Sequence, residues 1–178
     1  MKEADIIETL QSKLSVSVGR HLYGILGSYA ALGRFAAKLC QVKMPNGEFF
    51  PSAVSVNRGI LNSIPDAEFK TLAENEPRRP EPTMARVAQA FAAFLRSELN
   101  KKDLIVLSGL EMIFIYNVEL NLLRTMATDN KRVILLLPGK RDRGEILMYL
   151  DSSPGEYKLP SNLLADNHLW EVTDQDAK

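Results

Sequence analysis

The sequence predicts an α/β protein, a three-layer sandwich with a mainly parallel central sheet. Two runs, DLIVL at 103–107 and RVILLL at 132–137, are apolar almost throughout and too short for helices, the pattern of strands covered on both faces. Helical spacing in NVELNLLRTMA, from Asn117, separates them. Buried strands that alternate with helices fold into a parallel sheet with helices on both sides, because the crossovers are right-handed. The 178 residues suit one domain, 1–178, at roughly 100–200 residues per domain.

Taken in order, residues 3–14 place Ile6, Ile7, Leu10 and Leu14 on one helical stripe. RHLYGIL, with its edge of strand character at 21–26, is a short strand weakened by Gly24. Gly27 and Ser28 then turn into a helix over YAALGRFAAKLCQ. Pro45-Asn46-Gly47 marks a turn, the alternating SAVSVN at 52–57 a second strand, and Arg58 to Ile64 a short helix. Pro65, Pro77, Pro80 and Pro82 make 65–82 an exposed connection. Thr83 is the expected N-cap of a helix whose apolar face is Met84, Val87, Ala88, Phe91, Phe94, Leu95 and Leu99. The 132–137 strand ends at Pro138-Gly139, and EILMYL (145–150), the turn SSPG (152–155) and HLWEV (168–172) follow as an antiparallel C-terminal extension.

Composition excludes several classes. Hydrophobic residues at 46% and charged residues at 25% are those of a folded domain rather than a disordered chain. Lys plus Arg (22) equals Asp plus Glu (22), so no net field draws the chain to nucleic acid or an anionic membrane. Acids inside MKEADIIETLQSKL argue against a signal peptide, and no apolar run approaches the roughly 20 residues of a membrane-spanning helix, so the expected location is cytoplasmic. Cys40, the only cysteine, excludes an intramolecular disulfide and lies in an apolar helical stretch, where it reads as a buried structural thiol. His21 and His168 have no companion at ligand spacing, so no metal site is expected.

In open α/β sheets ligands bind beyond the carboxyl ends of the strands, so the turns after Leu26, Leu107 and Leu137 are the places to inspect. The first, Gly27-Ser28-Tyr-Ala-Ala-Leu-Gly33-Arg34-Phe35, has the strand-to-helix context of a phosphate-binding loop but not its letters. A Walker A loop, G-x-x-x-x-G-K-[ST], cradles phosphate on backbone N–H groups, with Lys on the β/γ oxygens and a hydroxyl on magnesium. Here five residues separate the glycines, Arg34 replaces Lys and Phe35 replaces the hydroxyl. After LIVL, Ser108 stands where an aspartate would hold the magnesium shell, and Glu111 either faces the site or caps the next helix. The nucleotide-binding candidates are therefore Gly27, Ser28, Gly33, Arg34, Ser108 and Glu111.

In this order of elements the chain resembles the BrxF family, small P-loop proteins of BREX (bacteriophage exclusion) defence systems. The resemblance runs from about Arg20 to Trp170 and rests on the strand-turn-helix at 20–42, VNRGILNSI, LIVLSGLEMIF, NVELNLLRTM, and RVILLLPG followed by SPGEYKLP. It implies a P-loop-NTPase-like fold in which the 132–137 strand lies between the two strands carrying the candidate site. It also implies a role in anti-phage defence within a multi-protein complex. The departures at Arg34, Phe35 and Ser108 argue against ATP hydrolysis, leaving a degenerate subunit that serves as a scaffold or senses nucleotide.

Two other functions compete. An active ATPase with a divergent site, or another enzyme, would use a relocated nucleotide site or acid-base residues near Lys140, Arg141, Asp142, Arg143 and Glu145, a run whose first reading is a solvated charged turn. A DNA-binding accessory protein would use Arg78, Arg79, Lys140, Arg141 and Arg143 if the two segments meet in space. For protein partners or self-association, Leu163, Leu164, Leu169 and Trp170 are the candidate surface, against the simpler reading that they close the core.

Overall fold

The structure, a computed structural model, describes residues 1–150 and 153–173. Its strands are β1 (Leu22–Gly27), β2 (Val54–Ser55), β3 (Leu104–Ser108), β4 (Arg132–Asp142), β5 (Glu145–Leu150), β6 (Ser153–Lys158) and β7 (Leu169–Glu171). Its helices are α1 (Glu3–Leu14), α2 (Tyr29–Leu39), α3 (Val56–Ser63), α4 (Asp66–Asn75), α5 (Glu81–Lys101), α6 (Glu111–Ile115) and α7 (Asn121–Met126). The sheet runs in the order β2-β3-β4-β1-β7, and every neighbouring pair on that path is parallel. β4 lies between β1 and β3, the position expected of the 132–137 strand.

Each central strand buries both faces, and its side chains alternate between two cores with the period of the pleat. Tyr23, Ile25, Leu104, Val106, Ile134 and Leu136 pack against α1 and α2. Leu26, Ile105, Leu107, Val133, Leu135 and Leu137 pack against α3, α5, α6 and α7. This is why these strands read as continuous apolar runs, and it makes the domain α/β with helices on both sides of a mostly parallel sheet.

The C-terminal extension is antiparallel only in part. β5 pairs antiparallel with the outer half of β4 and with β6, whereas β7 returns to lie parallel to β1. Of the expected SSPG turn, residue 152 lies outside the described residues and 153–155 belong to β6. Pro138-Gly139 does not end the strand either. Arg132 N donates to Asp103 O on the β3 side and Val133 N to His21 O on the β1 side, so alternate N–H groups face alternate neighbours. Position 138 therefore points toward β3, whose pairing with β4 stops at Leu107, and proline forfeits no ladder bond there. Gly139 is needed for a different reason, because a Cβ there would lie 2.4 Å from Leu147 O across the hairpin.

The connection at 65–82 is largely helical, since α4 and the start of α5 lie within it. Its prolines fall where a helix tolerates them: Pro65 and Pro80 cap α4 and α5, Pro77 is in the turn, and Pro82 is in the first turn of α5. No residue of α4 is buried, so the exposure expected there holds. Thr83 is not the N-cap. It is 3% exposed, and its hydroxyl donates to Leu72 O of α4 at 3.4 Å. β2 is only two residues long because Ser55 already caps α3, and the helical stretch expected from Asn117 is helical only over α7, separated from α6 by a turn with Asn117 at φ +50. Cys40 is only partly buried, with its thiol 3.7 Å from Pro51 O.

Leu163, Leu164 and Leu169 are buried in the core and present no docking surface. Gly24 makes room for the last two, since a Cβ on it would lie 2.6 Å from Leu164 Cδ1 and 2.8 Å from Leu169 Cδ1. Trp170 is half-buried and stacks on Tyr23 with centroids 6.0 Å apart.

Candidate functional site

The carboxyl ends of β1, β3 and β4 meet in a crevice of about 240 Å³ lined by Tyr29, Leu32, Gly33, Ala36, Ser108 and Pro138. The first wall is the turn out of β1, where Gly27 is the last strand residue and Ser28 alone stands between strand and helix. The Ser28 hydroxyl accepts a hydrogen bond from Ala31 N at 3.2 Å, and its carbonyl accepts from Leu32 N at 2.9 Å. One amide of the first helical turn, that of Ala31, is thus taken by the cap itself.

The glycines agree with that geometry. A Cβ on Gly27 would meet Ala31 Cβ at 3.5 Å and Val172 O at 3.6 Å, ordinary contacts, while Gly33 faces open space on α2. Neither has the positive φ that a phosphate nest requires. Arg34 is exposed on the next turn of α2, and Phe35 is fully buried in the core. The sequence pattern G-S-Y-A-A-L-G-R therefore spans a strand end and two helical turns, not a loop.

The second wall carries the strongest polar network of the crevice. Gly109 turns the chain out of β3 at φ +57, where a Cβ would lie 2.6 Å from the Ser55 hydroxyl. Its carbonyl accepts from Asn57 N at 2.8 Å. Glu111 opens α6 and accepts from the Tyr29 hydroxyl at 2.9 Å on Oε1 and from Asn57 Nδ2 at 2.6 Å on Oε2. Asn57 Oδ1 in turn accepts from Met112 N at 2.9 Å. Glu111 is thus a cross-link among α2, α3 and α6 and reaches the crevice only through Tyr29. Ser108 lies half-buried in the same crevice.

Gly33, Ser108 and, through Tyr29, Glu111 come together here, with Ser28 at the rim. Tyr29 and Asn57 escaped the sequence reading. Tyr29 stood inside the quoted turn and Asn57 inside VNRGILNSI, but only the parallel pairing of β2 with β3 brings Asn57 beside Glu111.

The second set of candidates is divided between two elements. Arg78 and Arg79 sit on the α4–α5 turn, whereas Lys140 and Arg141 lie on β4 and Arg143 at the tip of the β4–β5 hairpin. Arg141 donates to Leu169 O at 3.3 Å, tying the hairpin to β7. Glu145, one of the acid-base candidates, pairs with Lys158 at 2.8 Å across the hairpin, a structural use of its charge.

At the opposite end of β1, His21 and Tyr23 share a hydrogen bond of 2.7 Å between Nδ1 and the hydroxyl. Tyr23 also packs on His168, centroids 4.7 Å apart, and His168 Nδ1 lies 3.1 Å from Leu22 O. Burial, then Arg132 and His168, hold the His21 imidazole below its usual range, and burial pushes the Tyr23 phenol up to about 12. His21 Nε2 is buried without a partner.

Among the described residues no helix is long and apolar enough to cross a membrane. A scan against protein-family models, a search of curated proteins and a search of solved structures each found no match.

Proposed function

We propose that the chain is a degenerate, P-loop-like subunit that serves a prokaryotic anti-phage defence complex as a scaffold and does not turn over ATP. The observation that carries this reading is the closed turn after β1, where Ser28 caps α2 and no loop intervenes to hold a phosphate. The strand order supports the P-loop-like part, because β4 sits between the two strands that would carry the nucleotide site. The Glu111 carboxylate, fixed by Tyr29 and Asn57, adds a negative charge beside the crevice, which opposes a triphosphate. The scaffold role is favoured over nucleotide sensing for the same reasons.

Purified protein is expected to show no magnesium-dependent ATP hydrolysis above a contaminant control and no saturable ATP binding by titration calorimetry. Light scattering after size exclusion, with and without the products of neighbouring genes, is expected to show a stable complex. Hydrolysis that disappears in Arg34→Ala overturns the non-catalytic reading, and a strict monomer that binds no neighbour at micromolar concentration overturns the scaffold.

A further inference from the structure

At the amino ends of the strands, on the side of the sheet away from the crevice, the 42–50 segment forms a tight hairpin. Met44 N donates to Glu48 O at 2.7 Å and Phe50 N to Val42 O at 3.0 Å, Gly47 takes the turn at φ +87, and Asn46 Oδ1 accepts from Glu48 N at 3.0 Å. Gln11 Nε2 of α1 donates to Lys43 O at 2.6 Å and fixes the hairpin to the domain. The two phenylalanines at its end divide their work. Phe50 is 2% exposed and anchors the hairpin in the core, while Phe49 is 58% exposed and serves no core.

Phe49 lines a groove of about 520 Å³ shared with Lys101, Lys102, Asp103, Glu48 and Arg132. Lys43, opposite Phe49 in the hairpin, holds its ammonium 5.7 Å from the ring centroid. A second hollow of about 270 Å³ continues the groove past Arg132 toward Leu14 and Ser15. Two of the acids at the groove are matched locally, Asp103 accepting from Lys131 Nζ at 2.8 Å and Glu98, beside the groove, pairing with Lys101 at 3.3 Å. Counting Lys43, Lys101, Lys102, Lys131 and Arg132 against Glu48, Glu98 and Asp103 gives five positive and three negative charges, a local excess of two on a chain with no net charge. Arg132 donates from Nη2 to Val16 O at 3.5 Å, and its Nε is buried with no hydrogen-bond acceptor.

We propose that this groove binds single-stranded nucleic acid, with a base stacked on Phe49 and the backbone phosphates drawn by Lys43, Lys102 and Arg132. A preformed flat ring beside a cation matches the stacking platform and charged track by which single strands are held without sequence preference, a combination that an acidic peptide does not need. The groove lies at the amino ends of β3 and β4 and the crevice at their carboxyl ends, so this inference goes beyond the scaffold reading and does not rest on it.

The test is fluorescence anisotropy of a labelled oligo-dT of about 20 nucleotides, titrated over salt, with polyglutamate as competitor. Wild type is expected to bind saturably and to weaken as salt rises. Phe49→Ala is expected to weaken binding about 5- to 150-fold, the range for losing one base–aromatic stack. Lys102→Ala is expected to lower the slope of log affinity against log salt by about 0.7, the contribution of one single-strand phosphate. Lys70→Ala, on exposed α4, is expected to bind as wild type. Absence of binding at low salt, wild-type affinity in Phe49→Ala, or displacement by polyglutamate as effective per charge as by unlabelled oligo-dT would overturn the proposal. Phe49 and Lys102 are exposed, so neither substitution threatens folding, and circular dichroism confirms that the variants are intact.

Discussion

Asn57 makes three of the contacts that hold the crevice together: its N–H binds Gly109 O, its amide nitrogen binds Glu111, and its carbonyl oxygen accepts from Met112 N. Two of these use the side chain, so Asn57→Ala leaves a half-buried carboxylate and a backbone donor short of partners. A loss of about 1–3 kcal/mol in urea denaturation is expected. Asn57→Asp is the sharper experiment, because it sets a second carboxyl where Nδ2 lies 2.6 Å from Glu111 Oε2. Two carboxylates at that distance cannot both ionise, so one folded-state pKa rises above its unfolded value. The unfolded chain then binds fewer protons than the folded one, and the deficit of Asn57→Asp relative to wild type shrinks as pH falls from 8 toward 5. A deficit independent of pH would show that Asn57 and Glu111 do not share a bond in solution.

At the scale of elements, the helix layer over β2 and β3 depends on how closely α3 approaches α5. Gly59 allows it, since a Cβ there would lie 2.3 Å from the ring of Phe94, which packs in the core. Gly59→Ala raises intrinsic helix propensity by about 1 kcal/mol yet is expected to destabilise the fold by about 1–3 kcal/mol net, because overpacking exceeds the propensity gain. Gly59→Ala paired with Phe94→Leu is expected to recover part of the loss, which a double-mutant cycle would read as coupling. The contacts of α4 are more polar: Arg86 of α5 donates to Glu68 at 2.6 Å and to Ser63 O at 3.2 Å. With no buried residue of its own, α4 is the helix expected to exchange its amide hydrogens first.

At the scale of the molecule, stability should depend on pH through the two histidines beneath β1. Burial is the first cause lowering both; Arg132 and His168 add to it at His21, with Asp129 opposing, and Lys13 and Arg20 add to it at His168, with the hydrogen bond to Leu22 O opposing. A histidine whose folded pKa is depressed binds its proton more readily in the unfolded chain, so its contribution is complete above 6.5, the unfolded value, and is lost as pH falls below it. The midpoint of urea unfolding is therefore expected to drop between pH 7.5 and 5.5. His21→Asn, which keeps a polar partner for Tyr23 but does not titrate, should make that drop shallower. An unchanged midpoint across this window would mean that neither imidazole is held neutral by the fold.

The sequence by itself determined the α/β class, the apolar strands at 103–107 and 132–137, the stripes of α1 and α5 and the turn at Asn46-Gly47, because each follows from short-range periodicity or from one residue's backbone freedom. It also showed that Arg34 and Ser108 stand where a Walker motif would carry Lys and Asp, since that depends only on which letter follows a strand. The tertiary structure decided what periodicity cannot carry. Whether Gly27 and Gly33 border a loop or a helix depended on Ser28 capping α2 at once. Asn57 reaches Glu111 only because β2 pairs with β3, a contact between residues 54 apart in the chain. Pro138 reads as a breaker in sequence and is tolerated in β4 because the neighbouring strand has already ended. The leucines at 164 and 169 look like a surface until the bare backbone of Gly24 receives them. The Ser28 cap is local, but for the rest the deciding term is a long-range contact or its absence, set by a neighbour that local sequence does not name.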